Sequence, residues 1–363
     1  MTEKEYLYLL MHVQGIGAVS IFKLHEYFGS FREIWMAGEE KLSGSGILTP
    51  ARIKAFGNAR RQESAMRKEY EELPENRIRF TAYFEEEYPK RLLPYHDRPA
   101  GLFIKGRAPA DEIPSAAIVG ARNCTEYGLQ MAEKLASELS EHGVQIISGL
   151  ALGVDKAAHQ GALDSGHDTF AVLGCGINIC YPRENYSLFS EMEKRGGLLS
   201  EFVPGTGPVQ MNFPMRNRII SGLSDAVIVV EAREKSGSLI TAGLALEQGK
   251  EVFAVPGRVT DPLSSGCNRL LEDGAAICMG SEQVMEFLGI RYEKKLTLHK
   301  NSEKRLAKKE NMVYSFIDSR PRHLEEIMED CQLSVAETVE CLLKLELMGL
   351  VRGDGNQYYC RKL

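Results

Sequence analysis

The sequence predicts an α/β fold, a doubly wound parallel sheet preceded by a helical domain and followed by a winged helix. Three observations predict it. Between residues 115 and 280, apolar runs repeatedly enter a glycine-rich turn, and a helical pattern opens straight after each one. The runs are continuously apolar, as strands of a parallel sheet covered on both faces are. Outside that region the apolar spacing is helical at both ends of the chain.

Residues 1–72 read as short helices. Leu7, Leu9, Leu10 and Val13 lead to Gly15-Ile16-Gly17, and Ile21, Leu24 and Phe28 follow at helical spacing. Helix, Gly-hydrophobic-Gly, helix is the pattern of a helix-hairpin-helix (SAM-like) domain. Its hairpin N–H groups can hold a phosphate without reading sequence, or the glycines can serve a packing turn alone. A weaker second copy lies at 42–48, before the helix of Ala51 to Phe56.

Residues 73–290 form the expected sheet domain. Arg77 to Gly106 is extended and rich in Tyr and Pro, and reads as a lead-in layer beside the sheet. The strands then read Ala116–Val119, Val144–Ile147, Thr169–Leu173, Ala226–Val230 and Glu251–Val255. Their turns read Gly120-Ala121-Arg122-Asn123, Ser148 to Gly153, Gly174-Cys175-Gly176, Glu231 to Ser238, and Pro256-Gly257-Arg258. Ligands of such sheets lie beyond the carboxyl ends of the strands. Glycines, helix N-termini and arginines gathered there favour anions.

Residues 291–309 hold eight Lys or Arg against Glu293 and Glu303, and read as a mobile basic linker. Residues 310–363 carry three helical patterns, then Gly353-Asp354-Gly355-Asn356 as a tight hairpin, the order of a winged helix. Its third helix, Ser334 to Leu347, carries Glu337, Glu340 and Glu346 against Lys344 alone. A helix that reads a major groove is basic or amide-rich, so this tail reads as a protein-contact or regulatory module.

Net charge is −6, which excludes a diffuse polycation and leaves room for a local basic cleft. None of the eight cysteines forms a Cys-x-x-Cys pair, so free thiols in a reducing cytosol are expected, with no metal. No apolar stretch approaches the ~20 residues of a membrane span, so a soluble cytoplasmic protein is expected.

Two chemistries suit the rim. Asp155 and His159, at i and i+4 after Gly153, read as an acid–base pair, as two metal ligands, or as an Asp capping the helix and a His satisfied nearby. The first of these would make a nucleotide-processing enzyme. Against it, the Walker A loop, the Gly-x-Ser-x-Gly elbow and the dinucleotide fingerprint after the first strand are all missing. The other chemistry is single-stranded nucleic acid, held without catalysis or cofactor. It needs cations and N–H groups for phosphates, and rings for bases. The candidates are Gly120, Arg122, Gly149, Gly153, Arg183, Tyr186, Phe213, Arg216, Asn217, Arg218, Lys235, Ser236, Gly237, Ser238 and Thr241. Arg216 and Arg218 also suit structural ion pairs. Arg233 and Arg258 stand at strand ends too. A third reading is a nucleotide-sensing regulator that signals through the tail.

These residues resemble the DNA-processing protein A (DprA/Smf) family of natural transformation. The resemblance covers nearly the whole chain. It is carried by SGLALGVDKAAH (148–159), LGCGINICYPRENYSLF (173–189), NFPMRNRIISGLSDAVIVVEA (212–232) and SGSLITAGLALEQGKEVFAVPG (236–257). It implies an extended Rossmann-like fold that binds single-stranded DNA, and a homodimer that helps load a RecA-type recombinase. Arg122 matches the family's key basic position, Gly237 to Thr241 its Gly-Ser-Leu-Ile-Thr turn, and Arg183 and Tyr186 its basic and aromatic contacts. Ala121 departs from the family's Ser or Thr and removes one hydroxyl from the first turn.

Overall fold

The computed structural model describes residues 1–291, 306–318 and 320–361. Six helices come first: α1 (Glu3–Met11), α2 (Ala18–Phe28), α3 (Phe31–Met36), α4 (Glu39–Gly44), α5 (Pro50–Arg61) and α6 (Glu63–Glu72). Thr2, Ser30 and Thr49 start three of them by accepting from N–H groups of the first turn. Between α1 and α2 the chain turns at Gly15, φ +79°, and Ile16 is buried in the turn. Aromatic contacts tie this unit to the sheet. The Tyr8 ring lies 5.5 Å from Phe80 and 6.0 Å from Phe103. The Arg98 guanidinium sits 4.3 Å from the Phe22 ring and 5.2 Å from that of Tyr83.

The sheet domain runs β1 (Arg79–Ala82), β2 (Gly101–Gly106), β3 (Ser115–Val119), α7 (Glu126–Glu141), β4 (Gln145–Ser148), α8 (Val154–Asp164), β5 (Thr169–Val172), α9 (Tyr186–Met192), β6 (Gly196–Ser200), α10 (Asn212–Leu223), β7 (Ala226–Val229), α11 (Gly237–Glu247), β8 (Glu251–Ala254), α12 (Ser265–Glu272), β9 (Ala276–Ile277) and α13 (Ser281–Phe287). The strand order is β1-β2-β6-β5-β4-β3-β7-β8-β9. From β6 to β9 every pairing is parallel. The Tyr- and Pro-rich lead-in is no separate layer: β1 and β2 extend the same sheet by antiparallel pairing onto β6.

Alternate side chains of each strand point to opposite faces, so each face has its own core. Ala117 and Val119 pack with Ile219, Ile220 and Leu223 of α10 and Ala242 and Ala245 of α11. Ala116 and Ile118 pack with Leu135 and Leu139 of α7 and Ala158 of α8. Burying a side chain such as Ile118 stabilises the fold by ~1.5–3 kcal/mol. Such double coverage explains why the strands read as unbroken apolar runs.

The tail folds as α14 (Lys308–Phe316), β10 (Arg322–His323), α15 (Leu324–Cys331), α16 (Val335–Leu347), β11 (Val351–Gly353) and β12 (Tyr358–Arg361). Val313, Ile327, Leu342 and Leu345 form its core. A third short strand, β10, joins the expected hairpin to give the order β10-β12-β11. The basic run expected as a linker at 291–309 falls mostly on residues 292–305, outside the described residues.

Candidate nucleic-acid interface

The strand order reverses at β3, which has β4 on one side and β7 on the other. The turns after β3 and β7 therefore diverge and leave a crevice at their carboxyl ends. A cleft of about 650 Å³ lies there.

One wall is built around Arg122. Its turn lies against the turn after β4, where Val154 N–H donates to Ala121 O (3.2 Å). Gly153 makes this approach possible. Its φ is +73°, and a Cβ there would sit 2.3 Å from Ala121 O and 2.4 Å from Arg122 O. With its backbone fixed, exposed Arg122 lays its guanidinium 5.2 Å from the centre of the Phe213 ring. Phe213 in turn rests on Gly174, where a Cβ would meet the ring at 2.7 Å. Tyr181, 41% exposed, lies 5.6 Å from Phe213 between ring centres. Buried Asn185 holds the neighbouring segment in place by donating to Leu150 O (2.9 Å) and Ala151 O (3.2 Å).

The facing wall is the start of α11. Ser236 caps the helix by accepting from Ser238 N–H, and its hydroxyl lies 2.7 Å from that of Ser238. Asn217 Nδ2 donates to Gly237 O across the cleft floor (3.3 Å). A Cβ on Gly237 would meet nothing within 4 Å, so this helix end is open to a ligand. Lys235 is exposed beside it. Positive charge and the positive end of the helix dipole thus face Arg122.

Two nearly buried polar residues, Asp155 and Arg216, also line the cleft. Asp155 accepts from Gly149 N–H (3.1 Å), and Arg216 donates through Nη1 to Gly149 O (2.9 Å) and to Val172 O. Burial raises the Asp155 carboxyl above its ordinary range, against the opposing pull of Arg216. Burial also lowers Arg216, to about 10. His159 lies deeper. Its Nδ1 is 2.7 Å from Thr169 Oγ1, no side-chain area of the residue reaches solvent, and burial pushes it down to about 3. It does not line the cleft. Among the described residues, no three His, Cys, Asp or Glu gather as a metal site.

Of the fifteen sequence candidates, the cleft brings together Gly120, Arg122, Phe213, Arg216, Asn217, Lys235, Ser236, Gly237, Ser238 and Thr241. Gly149 borders a hollow of about 60 Å³ alongside, with Pro182 and Leu152. Arg183 and Tyr186 stand exposed on the adjoining segment, outside the cleft lining. Three groups differ from expectation. Gly120, Gly149 and Gly153 are crowded by protein rather than open to a phosphate; a Cβ on Gly120 would strike Val154 at 2.7 Å and one on Gly149 would strike Arg216 at 2.6 Å. Arg216 is only 4% exposed and works as an internal clamp. Arg218 lies off the cleft and makes a two-pronged pair with Glu201 (2.6 and 2.7 Å) while its Nε donates to Asp97 O (2.9 Å). Arg258 lines a separate groove near Thr125 and Ser264. Pro208 and Gln210 line the cleft and were not anticipated, because they lie in a loop without a periodic signal. Their one cue is adjacency to Phe213.

The family model for DNA recombination-mediator protein A matches residues 79–289, and that for the DprA winged helix domain matches residues 299–355. The chain belongs to this family. DNA processing protein DprA of Bacillus subtilis is 46% identical over 203 residues, 56% of this chain and 68% of the relative. The X-ray structure of DNA processing protein A from Streptococcus pneumoniae matches with a TM-score of 0.67 at 35% identity, over 79% of this chain and 98% of that one. A Helicobacter pylori DNA processing protein A, whose structure describes its single-stranded DNA binding mode, matches with a TM-score of 0.53 at 34% identity, over 58% of this chain and 95% of that one. The family's extended Rossmann-like sheet and winged helix are those described above. No helix among the described residues is long and apolar enough to cross a membrane.

Proposed function

We propose that the cleft binds single-stranded DNA without catalysis. The observation that carries this reading is the facing of Arg122, laid on Phe213 beside Tyr181, with the open N-terminus of α11. Phosphates fit the N–H groups and cations; bases fit the rings, each stacked base contributing ~1–3 kcal/mol. Arg216 lines the cleft but is only 4% exposed, and adds positive potential rather than a contact; Arg183 and Tyr186 continue the path outside the cleft. The relative from Helicobacter pylori, a single-stranded DNA binder by its description, supports this reading. An acid–base role for Asp155 and His159 has less support, since His159 is sealed from the cleft. We also propose that the protein is a cytoplasmic homodimer acting in DNA uptake, where it protects incoming strands and helps load a RecA-type recombinase. Membership of a recombination-mediator family supports that partner.

A salt-titrated assay comparing single-stranded, duplex and mononucleotide ligands tests the binding. Single strands should bind best, with a log–log salt slope of ~0.7 per phosphate neutralised. Equal affinity for a blunt duplex of the same length at moderate salt rejects the reading.

A further inference from the structure

A second groove, of about 590 Å³, lies between the sheet domain and the winged tail, and it shares no lining residue with the cleft. Its sheet side is the start of α7 and the loop from Pro256 to Ser264 after β8; its tail side is Arg320 and Pro321. The volume is that of a small-molecule site.

Hydrogen bonds fix both sides. Asn268 accepts from Gly257 N–H (3.2 Å) and donates to Gly257 O (3.1 Å), Asp261 N–H donates to Arg258 O (3.0 Å), and Ala232 N–H donates to Leu263 O (2.8 Å). The tail is held to α7, where Arg352 pairs with Glu126 (3.3 Å) and Glu133 (3.6 Å), and Gln130 Nε2 donates to Cys360 Sγ (3.4 Å).

Charge and unused donors select the ligand. Two of the three acids in the lining are engaged: Glu126 holds Arg352, and both oxygens of buried Glu231 accept from Thr125, from its N–H (2.8 Å) and its hydroxyl (2.6 Å). Arg258 and Arg320 are exposed, and among the described residues neither side chain has an ion pair or a hydrogen bond. Asp261 is the one acid of the lining left to oppose them. Ser264 is 8% exposed, and its hydroxyl, with no partner among the described residues, lies over Gly257, where a Cβ would meet it at 2.0 Å. A nearly buried hydroxyl costs stability until something bonds to it. Two unpaired guanidinium groups and a spare hydroxyl suit a phosphate. Tyr127, 37% exposed, with Pro256, Leu263 and Pro321, suits a flat apolar body. A ligand that joins the two is a nucleoside phosphate. We propose that this groove binds a nucleoside phosphate, its phosphate on Arg258, Arg320 and Ser264 and its base against Tyr127, so that the ligand bridges the sheet domain and the tail.

Calorimetric titration of the full chain with AMP, adenosine and inorganic phosphate tests this. The parent and Arg122→Ala are titrated side by side, so that binding in the cleft is told apart from binding in the groove. AMP should bind both saturably, and adenosine and phosphate about tenfold more weakly or worse. Arg258→Ala and Arg320→Ala should each weaken AMP about tenfold, as loss of a charged hydrogen bond does, and leave melting and single-strand binding unchanged. Competition identifies the source. A 5′-phosphorylated oligonucleotide that displaces AMP, where its 5′-hydroxyl form does not, assigns the groove to strand ends; no displacement by either assigns it to free nucleotides. The proposal fails if AMP does not bind, if phosphate alone binds as tightly, or if binding is lost in Arg122→Ala. It fails equally if neither Arg258→Ala nor Arg320→Ala weakens AMP.

Discussion

At the residue scale, the cleft depends on a cation whose direction is set by a ring. Arg122 projects from a backbone pinned by Gly153 and lies over Phe213. Arg122→Ala should therefore reduce single-strand affinity about tenfold or more, since a charged hydrogen bond contributes ~1.5–3 kcal/mol. The side chain is exposed, so melting should not change. Anisotropy and thermal melting on the same sample check both halves, and unchanged binding rejects the assigned role. His159 carries a different expectation. Its value falls from 6.5 to about 3 because burial disfavours the cation. The unfolded chain takes up this proton first as pH drops. The stability from a neutral His159 is complete above about pH 6.5 and is lost toward pH 3, by ~1.4 kcal/mol per unit. Asp155, raised above its ordinary value of 3.8, contributes in the opposite sense as pH rises through its folded value. Urea unfolding of the parent and His159→Gln between about pH 7.5 and about pH 5 isolates the histidine. The parent should lose stability faster than the variant on acidification; parallel curves refute the assignment.

At the element scale, the start of α11 separates binding from folding. Gly237 begins the helix with no neighbour in reach of a side chain. An aspartate in a first turn favours the helix dipole by ~0.3–1 kcal/mol. The same charge would face the proposed phosphates. Gly237→Asp should thus keep or slightly raise the melting temperature while weakening single-strand binding several-fold, most strongly at low salt. If affinity is retained at low salt, the helix end is not a phosphate site. Gly196 of β6 behaves in the opposite way. Its φ is +105°, and a Cβ would fall 1.9 Å from Thr169 O. The sheet demands glycine there, and that demand hides the strand, because a Gly-Gly start reads as a turn.

At the scale of the whole molecule, the cleft and the contacts of the winged tail use different residues. The cleft is lined by residues of the sheet domain alone. The tail meets that domain through α7, and its third helix carries excess acid. Deleting residues 310–363 leaves only the first two residues of α14 and keeps the basic run before it. The shortened chain should retain most single-strand affinity. Circular dichroism and a binding titration check it together; a folded protein that binds far more weakly would make the tail part of the DNA site.

The sequence by itself determined the repeating strand, turn and helix, the double coverage of the sheet, and the acidic character of α16. Each of these is written within a few neighbouring residues: an unbroken apolar run such as Ala226–Val230, a cap such as Ser236, a charge count along one helix. It also gathered most of the cleft, because strand ends converge once the order of strands is known. Only the tertiary structure decided what each arginine does. Arg122, Arg216 and Arg218 look equivalent in the chain. Arg216 became a clamp because Gly149 O and Val172 O meet it in the interior, and Arg218 an ion pair because Glu201 and Asp97 fold beside it. Those partners arrive from other elements, and burial removes the water that would otherwise leave all three cations alike.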